Sequence, residues 1–149
     1  MDYSQSFAIS AAGMSVERTR VDIAALNLAN ANTIQTPDGV SYRPLSVQAR
    51  SQAATAAMPS AFSSQVDQGL DVSMLSLPQT SVVPSGIEPR NVYEPGNPFA
   101  NTKGFVVYPG VDTATEMINM MSAQRSYEAN VAAMNVARTL ALKALDIGG

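Results

Sequence analysis

Cysteine, histidine and tryptophan are absent from all 149 residues of the chain. Without cysteine or histidine there is no disulfide framework, no zinc site of the usual ligand types, no thiolate nucleophile and no imidazole base. Charge is scarce too: Asp, Glu, Lys and Arg make up 14% of the chain, against roughly 25% in ordinary soluble proteins. The 9 Lys+Arg and 12 Asp+Glu leave a formal charge of −3, with no basic cluster anywhere. Such a surface releases no counterions from a phosphate backbone, so nucleic acid is not expected as a partner. Two charge-free runs, 51–66 and 72–87, are rich in Ser, Gln or Pro, and neither is apolar enough to span a bilayer. The first residues, Met1-Asp2-Tyr3-Ser4-Gln5, lack the basic and apolar regions of a cleaved secretory signal, and none is expected.

Catalytic patterns are also missing. Neither Ser-x-x-Lys nor Gly-x-Ser-x-Gly occurs, so the commoner serine-nucleophile motifs are missing. Asp67 and Asp71 flank Gln68-Gly69-Leu70, which lacks the ligand spacing of a calcium loop. No enzyme activity, cofactor or metal is expected.

What is present is a pair of helical patterns at the two ends. Phe7, Met14, Val21 and Leu28 recur every seven residues, with Ala11, Ala24 and Ala25 on roughly the same side, which predicts an amphipathic helix. It should stop near Ala29 to Asn32, because asparagine tolerates left-handed backbone and competes for backbone hydrogen bonds. At the other end, Met117, Met120, Tyr127, Val131, Met134, Ala141 and Leu145 follow steps of three and four, interrupted by the polar Gln124 and Arg138. Thr113 and Glu116 have the spacing of a capping box, reinforced by Asp112. That helix should run about 30 residues, or some 45 Å, which exceeds the width of a domain this size.

The middle reads as β. Val40-Ser41-Tyr42 and Leu45 to Ala49 alternate around Arg43-Pro44, Val82-Val83, Ile87 and Val92-Tyr93 lie between prolines and glycines, and Phe105-Val106-Val107-Tyr108 is the clearest strand. Residues 51–80 shift to Ala, Ser and Gln without a sustained period and read as a variable or mobile insert. The expected fold is therefore α+β: an N-terminal helix over 1–33, a small β-rich domain over 34–110 and a C-terminal helix over 111–149, with the terminal helices pairing as a coiled-coil-like bundle. Of the residues counted as hydrophobic, 46% of the chain, 22 are alanine, so the core should be thin.

Two separated segments resemble the axial proteins of the bacterial flagellum. Asp22 to Thr33, closing in Asn27-Leu28-Ala29-Asn30-Ala31-Asn32, is similar to that family's N-terminal signature. Val111-Asp112, Glu116-Met117-Ile118 and Ser122-Ala123-Gln124-Arg125-Ser126-Tyr127-Glu128-Ala129-Asn130-Val131 are similar to its C-terminal signature. Thr36 to Arg43, Val92 to Pro98 and Lys103-Gly104-Phe105-Val106 are similar to the family's proximal-rod members, as is the short length. The resemblance covers roughly residues 5 to 50 and 87 to 148 and implies a self-assembling subunit of the hollow rod of the basal body. Its implied partners are copies of itself, other flagellar rod proteins and the rod-to-ring adaptor. It also implies passage through the flagellar type III export apparatus without a cleaved signal peptide, and assembly in the periplasm. The expected assembly interface comprises Phe7, Met14, Val21 and Leu28 on the first helix and Met117, Met120, Tyr127, Val131, Met134 and Leu145 on the second. Asn27, Asn30 and Asn32 either cap the first helix or bond to neighbouring subunits, and Arg125 is either solvated or paired at the interface. Two alternatives stay open from the residues: both stripes packing within one monomer, and a secreted helical binding module or export-chaperone-like protein with one discrete partner.

Overall fold

Alternating apolar and small residues without an internal proline make the two ends helical. In the computed structural model, which describes residues 3–34, 39, 41–51 and 78–148, α1 spans Tyr3–Ala29 and α2 spans Thr113–Gly148. Their 27 and 36 residues correspond to about 40 and 54 Å. α2 is thus longer than the stripe from Met117 to Leu145, because the helix starts one turn earlier, at Thr113, and runs on to Gly148. Among the described residues no helix is long and apolar enough to cross a membrane.

Both helix ends inside the chain are closed by short polar side chains. At the end of α1, Asn30 donates through Nδ2 to the Leu26 carbonyl at 2.8 Å, and its own N–H bonds the same carbonyl at 3.1 Å. The side chain thus adds a second donor to a carbonyl in the last turn, where helical donors run out. At the start of α2 the cap is Asp112 and not the Thr113–Glu116 box. Its Oδ1 accepts from the Ala114 N–H at 3.1 Å and its Oδ2 from the Thr115 hydroxyl at 2.7 Å. Asp112 therefore occupies the N-cap position, one residue earlier than the sequence pattern suggests.

Between the helices lie two separate antiparallel pairs. β1 (Leu45–Ser51) pairs with β2 (Pro78–Pro84), from Leu45 opposite Pro84 to Ser51 opposite Pro78. β3 (Arg90–Tyr93) pairs with β4 (Phe105–Tyr108), from Arg90 opposite Tyr108 to Tyr93 opposite Phe105. Ser51 and Pro78 to Thr80, which the sequence places in the insert, belong to this ladder; 52–77 lie outside the described residues. The strand expected at Val40-Ser41-Tyr42 does not form at Ser41 and Tyr42, and Val40 lies outside the described residues. Ile87 is likewise outside any strand, held in a connection between Pro84 and Pro89.

Isolated two-stranded sheets are marginal in water; β1 and β2 both pack on α1, whereas β3 and β4 pair chiefly with each other. The helices in turn pack on each other in antiparallel fashion over their length. Gly13 of α1 lies against the Asn130 side chain, which a β-carbon at position 13 would meet. Ala24 and Ala123 are buried from the two sides, so small residues let the backbones approach closely. The fully buried apolar set among the described residues is short, namely Val16, Ala24, Ala31, Val106, Val111 and Ala123.

The Asp112 cap makes stability depend on acidity. Hydrogen bonds from the Thr115 hydroxyl and then the Ala114 N–H hold its carboxyl below the usual 3.8. A group whose folded pKa is depressed stabilises fully above its unfolded pKa, and the contribution fades as pH falls through the folded value. Urea midpoints should therefore drop below about pH 4, and Asp112→Ala should lower the midpoint at pH 7 while flattening part of that acid dependence.

Candidate assembly interface

The two helices of one chain cover part of each other's apolar stripe. On α1 the innermost positions are Val16, Ala24 and Asn27, whereas Phe7, Met14, Val21 and Leu28 flank them and are half-buried. On α2 the seam runs through Met120, Ala123, Asn130, Val131, Met134, Ala137 and Ala141, all buried or half-buried. Met117, Tyr127 and Leu145 remain exposed, Leu145 at 72%. Arg125 is also exposed. The one ion pair among the described residues is Arg20 with Glu17 at 3.3 Å, one turn apart on α1.

A second apolar face on α2 escapes a reading that follows its strongest stripe. Ile118, Ala129, Ala133, Val136 and Leu140 are all exposed, Val136 at 60%. At 100° per residue they gather on the side turned away from α1. Steps of four, three and four from Ala129 to Leu140 carry the signal, but alanine contributes little to an apolar pattern. From Ala129 to Leu140 this side is exposed and apolar, whereas Ser122 and Arg125 interrupt it towards Ile118.

The asparagines divide by role. Asn27 is 1% exposed, and its amide reads the backbone where β1 begins. Its Oδ1 accepts from the Leu45 N–H at 2.9 Å and from the Tyr42 hydroxyl at 2.7 Å, while Nδ2 donates to the Leu45 carbonyl at 2.8 Å. The side chain thus joins α1 to β1 inside the chain and is spent there. Burial, and secondarily the negative charge of Glu116, raises the Tyr42 pKa above 10.0, which keeps the hydroxyl proton available for this bond. Asn30 caps α1, as described. Asn32 is exposed and borders a shallow cleft with Arg90, Asp112 and Thr113.

The β3–β4 hairpin is the other apolar feature. Tyr93 and Phe105 meet edge to face, ring centroids 5.3 Å apart, and the Arg90 guanidinium lies 5.4 Å from the Tyr108 ring centre. The Tyr108 hydroxyl donates to the Glu94 carboxylate at 3.2 Å. Desolvation, followed by that bond, raises its pKa. The turn beyond is fixed by two asparagines: Asn97 Oδ1 accepts from the Phe99 N–H at 3.0 Å, and Asn101 Oδ1 from the N–H groups of Lys103 and Phe105 at 2.9 and 3.0 Å. Gly104, at φ +79°, supplies the left-handed residue and sits against the Tyr93 ring, where an L side chain would be strained. At the base of the hairpin a groove of about 560 Å³ opens between α1, α2 and β1, walled by Arg20, Ile23, Leu45, Ile87, Glu116 and Asn119 among others. Among the described residues no group of three acidic, cysteine or histidine side chains could hold a metal.

Comparison with known proteins agrees with the terminal signatures. A family model described as flagellar basal body rod FlgEFG protein C-terminal matches residues 102–147. The chain is similar to the flagellar basal-body rod protein FlgC of Salmonella typhimurium, 37% identical over 142 residues and 95% of both chains. It is similar to FlgC of Escherichia coli O157:H7, 38% identical over the same share, and to that of Bacillus subtilis, 33% identical over 149 residues and 96% of both chains.

Replacing Asn27 by leucine keeps the branched shape but leaves the Leu45 N–H and carbonyl and the Tyr42 hydroxyl unpaired. Each such group costs about 1–3 kcal/mol, so a loss of about 2–4 kcal/mol is expected, allowing for partial rehydration. Chemical denaturation of the purified chain measures it; a loss below about 1 kcal/mol would show that the joint is dispensable.

Proposed function

The chain belongs to the FlgC family of flagellar basal-body rod proteins, and from that premise we propose how it works as a structural subunit of the rod. It self-assembles with other rod proteins into a hollow drive shaft, transmitting torque while leaving a passage for export. The work is mechanical, and no bond is made or broken. The observation that carries this reading is the pairing of end-to-end family similarity with an α2 that is apolar on two sides. One side is met by α1 and the other, through Ile118, Val136 and Leu140, is left for neighbouring chains. Torsional stiffness then comes from many repeated helix contacts around a closed tube.

Copies of the chain, neighbouring rod proteins and the rod-to-ring adaptor are the partners on this reading. Met117, Tyr127, Leu145 and Arg125 contribute to the contact with them, and Asn32 lies at its edge. The half-buried Phe7, Met14, Val21 and Leu28, with Met120, Val131 and Met134, mainly hold α1 and α2 together and present only their margins. The chain reaches the periplasmic rod through the flagellar type III apparatus without a cleaved signal peptide. The thinly packed fold supports that route, since few buried side chains must separate before threading. A module with one discrete partner is disfavoured, because the relatives it matches along nearly its whole length are rod proteins.

The test exploits the exposed face. Val136→Asp combined with Leu140→Asp should leave the helical spectrum intact, and the denaturation midpoint within about 0.5 kcal/mol of wild type, as surface changes do. It should also abolish swimming and remove the chain from purified basal bodies. Normal motility in that variant would show that the outward face of α2 is not the interface.

A further inference from the structure

The β3–β4 hairpin carries two complementary features at opposite ends. At its far end the turn between Tyr93 and Phe105 presents Phe99, which is exposed beside Pro98. That ring is not on a loose loop: the Asn97 and Asn101 side chains tie the turn to itself, and its backbone bonds run Asn97 N–H to Glu94 carbonyl and Ala100 N–H to Asn97 carbonyl. Holding an exposed phenyl ring on a fixed turn removes ordering cost from any contact it makes. At the hairpin's base, Ile87 and Val111 open onto the groove of about 560 Å³ between α1, α2 and β1. Gly110 lets the chain pass close over the Glu88 carbonyl there, at a spot where a β-carbon has no room.

Ring and groove cannot meet within one chain. Four-residue strands separate them by about 13 Å at 3.3 Å per residue, and the turn points away from the base. Their chemistry nevertheless matches. The groove is floored by Ile23, Ala24, Leu45 and Ala123 and has room for a phenyl ring and a flanking proline. Its rim bears Asp112 and Glu116, against the single cation Arg20, whose charge is already paired with Glu17. The turn bears the exposed Lys103. A knob and a hole on one molecule at different places make a heterologous contact, which propagates from copy to copy as a ring or open helix.

We propose that the hairpin tip, with Phe99 and Lys103, docks into the basal groove of a neighbouring copy of this chain, Phe99 entering between α1 and α2 and Lys103 facing Glu116. The proposal rests on the reading of the chain as a self-assembling rod subunit and adds a lateral joint outside the helical tube. It gives the groove its filling, and it gives the aromatic turn a buried environment that the monomer withholds.

The absence of cysteine from the chain permits a clean test. The full-length chain carrying both Phe99→Cys and Asn119→Cys replaces the wild type in its bacterium, and basal bodies are oxidised mildly and run without reductant. A disulfide-linked ladder of the chain that requires both cysteines is expected. Basal bodies that contain the double variant without a ladder overturn the proposal, as does Phe99→Cys alone linking tip to tip or to a different protein. Should the double variant fail to assemble, charge exchange decides: Lys103→Glu should cut incorporation into basal bodies several-fold, and adding Glu116→Lys should restore it. No restoration overturns the docking. A wild-type chain missing from basal bodies would instead sink the rod-subunit reading, so the two failures are distinguishable.

Discussion

Close approach of two helices through small residues is the constraint on which the rest of the structure depends. Gly13, Ala24 and Ala123 contribute almost no side-chain volume to the seam, and Gly13 makes room for the Asn130 side chain, so the helices pack without the deep burial that leucine would supply. Everything placed on them inherits a modest core. The β1–β2 pair, marginal alone, gains a surface from α1, and Asn27 ties β1 down.

The same economy of side chains divides α2 into an inner and an outer side. Met120, Val131 and Met134 turn towards α1, while Ile118, Val136 and Leu140 turn away. A helix apolar on two sides has a weak net amphipathic direction, since opposed apolar faces cancel. In a subunit of a rod, the charge-poor surface has a physical place, because contact with neighbouring chains replaces the solvation that charged side chains would otherwise provide.

Much of this was legible in the residues, and the rest failed for identifiable reasons. Both terminal helices, the stop after Ala29 and the Phe105 to Tyr108 strand follow from periodicity and turn chemistry, which act locally. The partner of β1 did not, because β2 lies across the 52–77 segment and carries prolines at both ends. Ser41 and Tyr42 alternate like a strand, yet the Tyr42 hydroxyl is taken by Asn27, a tertiary bond that no local pattern encodes. Asn27 itself looked like one of three helix-end asparagines; only the fold sets it beside the Leu45 peptide while Asn30 does the capping. The Met117 to Leu145 series traced one stripe, but the structure splits its members between the covered seam and the surface. The outward face through Ala129 and Ala133 was hidden by alanine's small contribution to any apolar pattern.

The joint between α1 and β1 is built from an amide, a hydroxyl and a peptide group, none of which bears formal charge. Mobile ions that would weaken an ion pair have little to screen there, and no proton is gained or lost at it near neutrality, the more so because Tyr42 is held above its ordinary pKa. The attachment of the β1–β2 pair to α1 should therefore hold alike whether the surrounding fluid is dilute or briny.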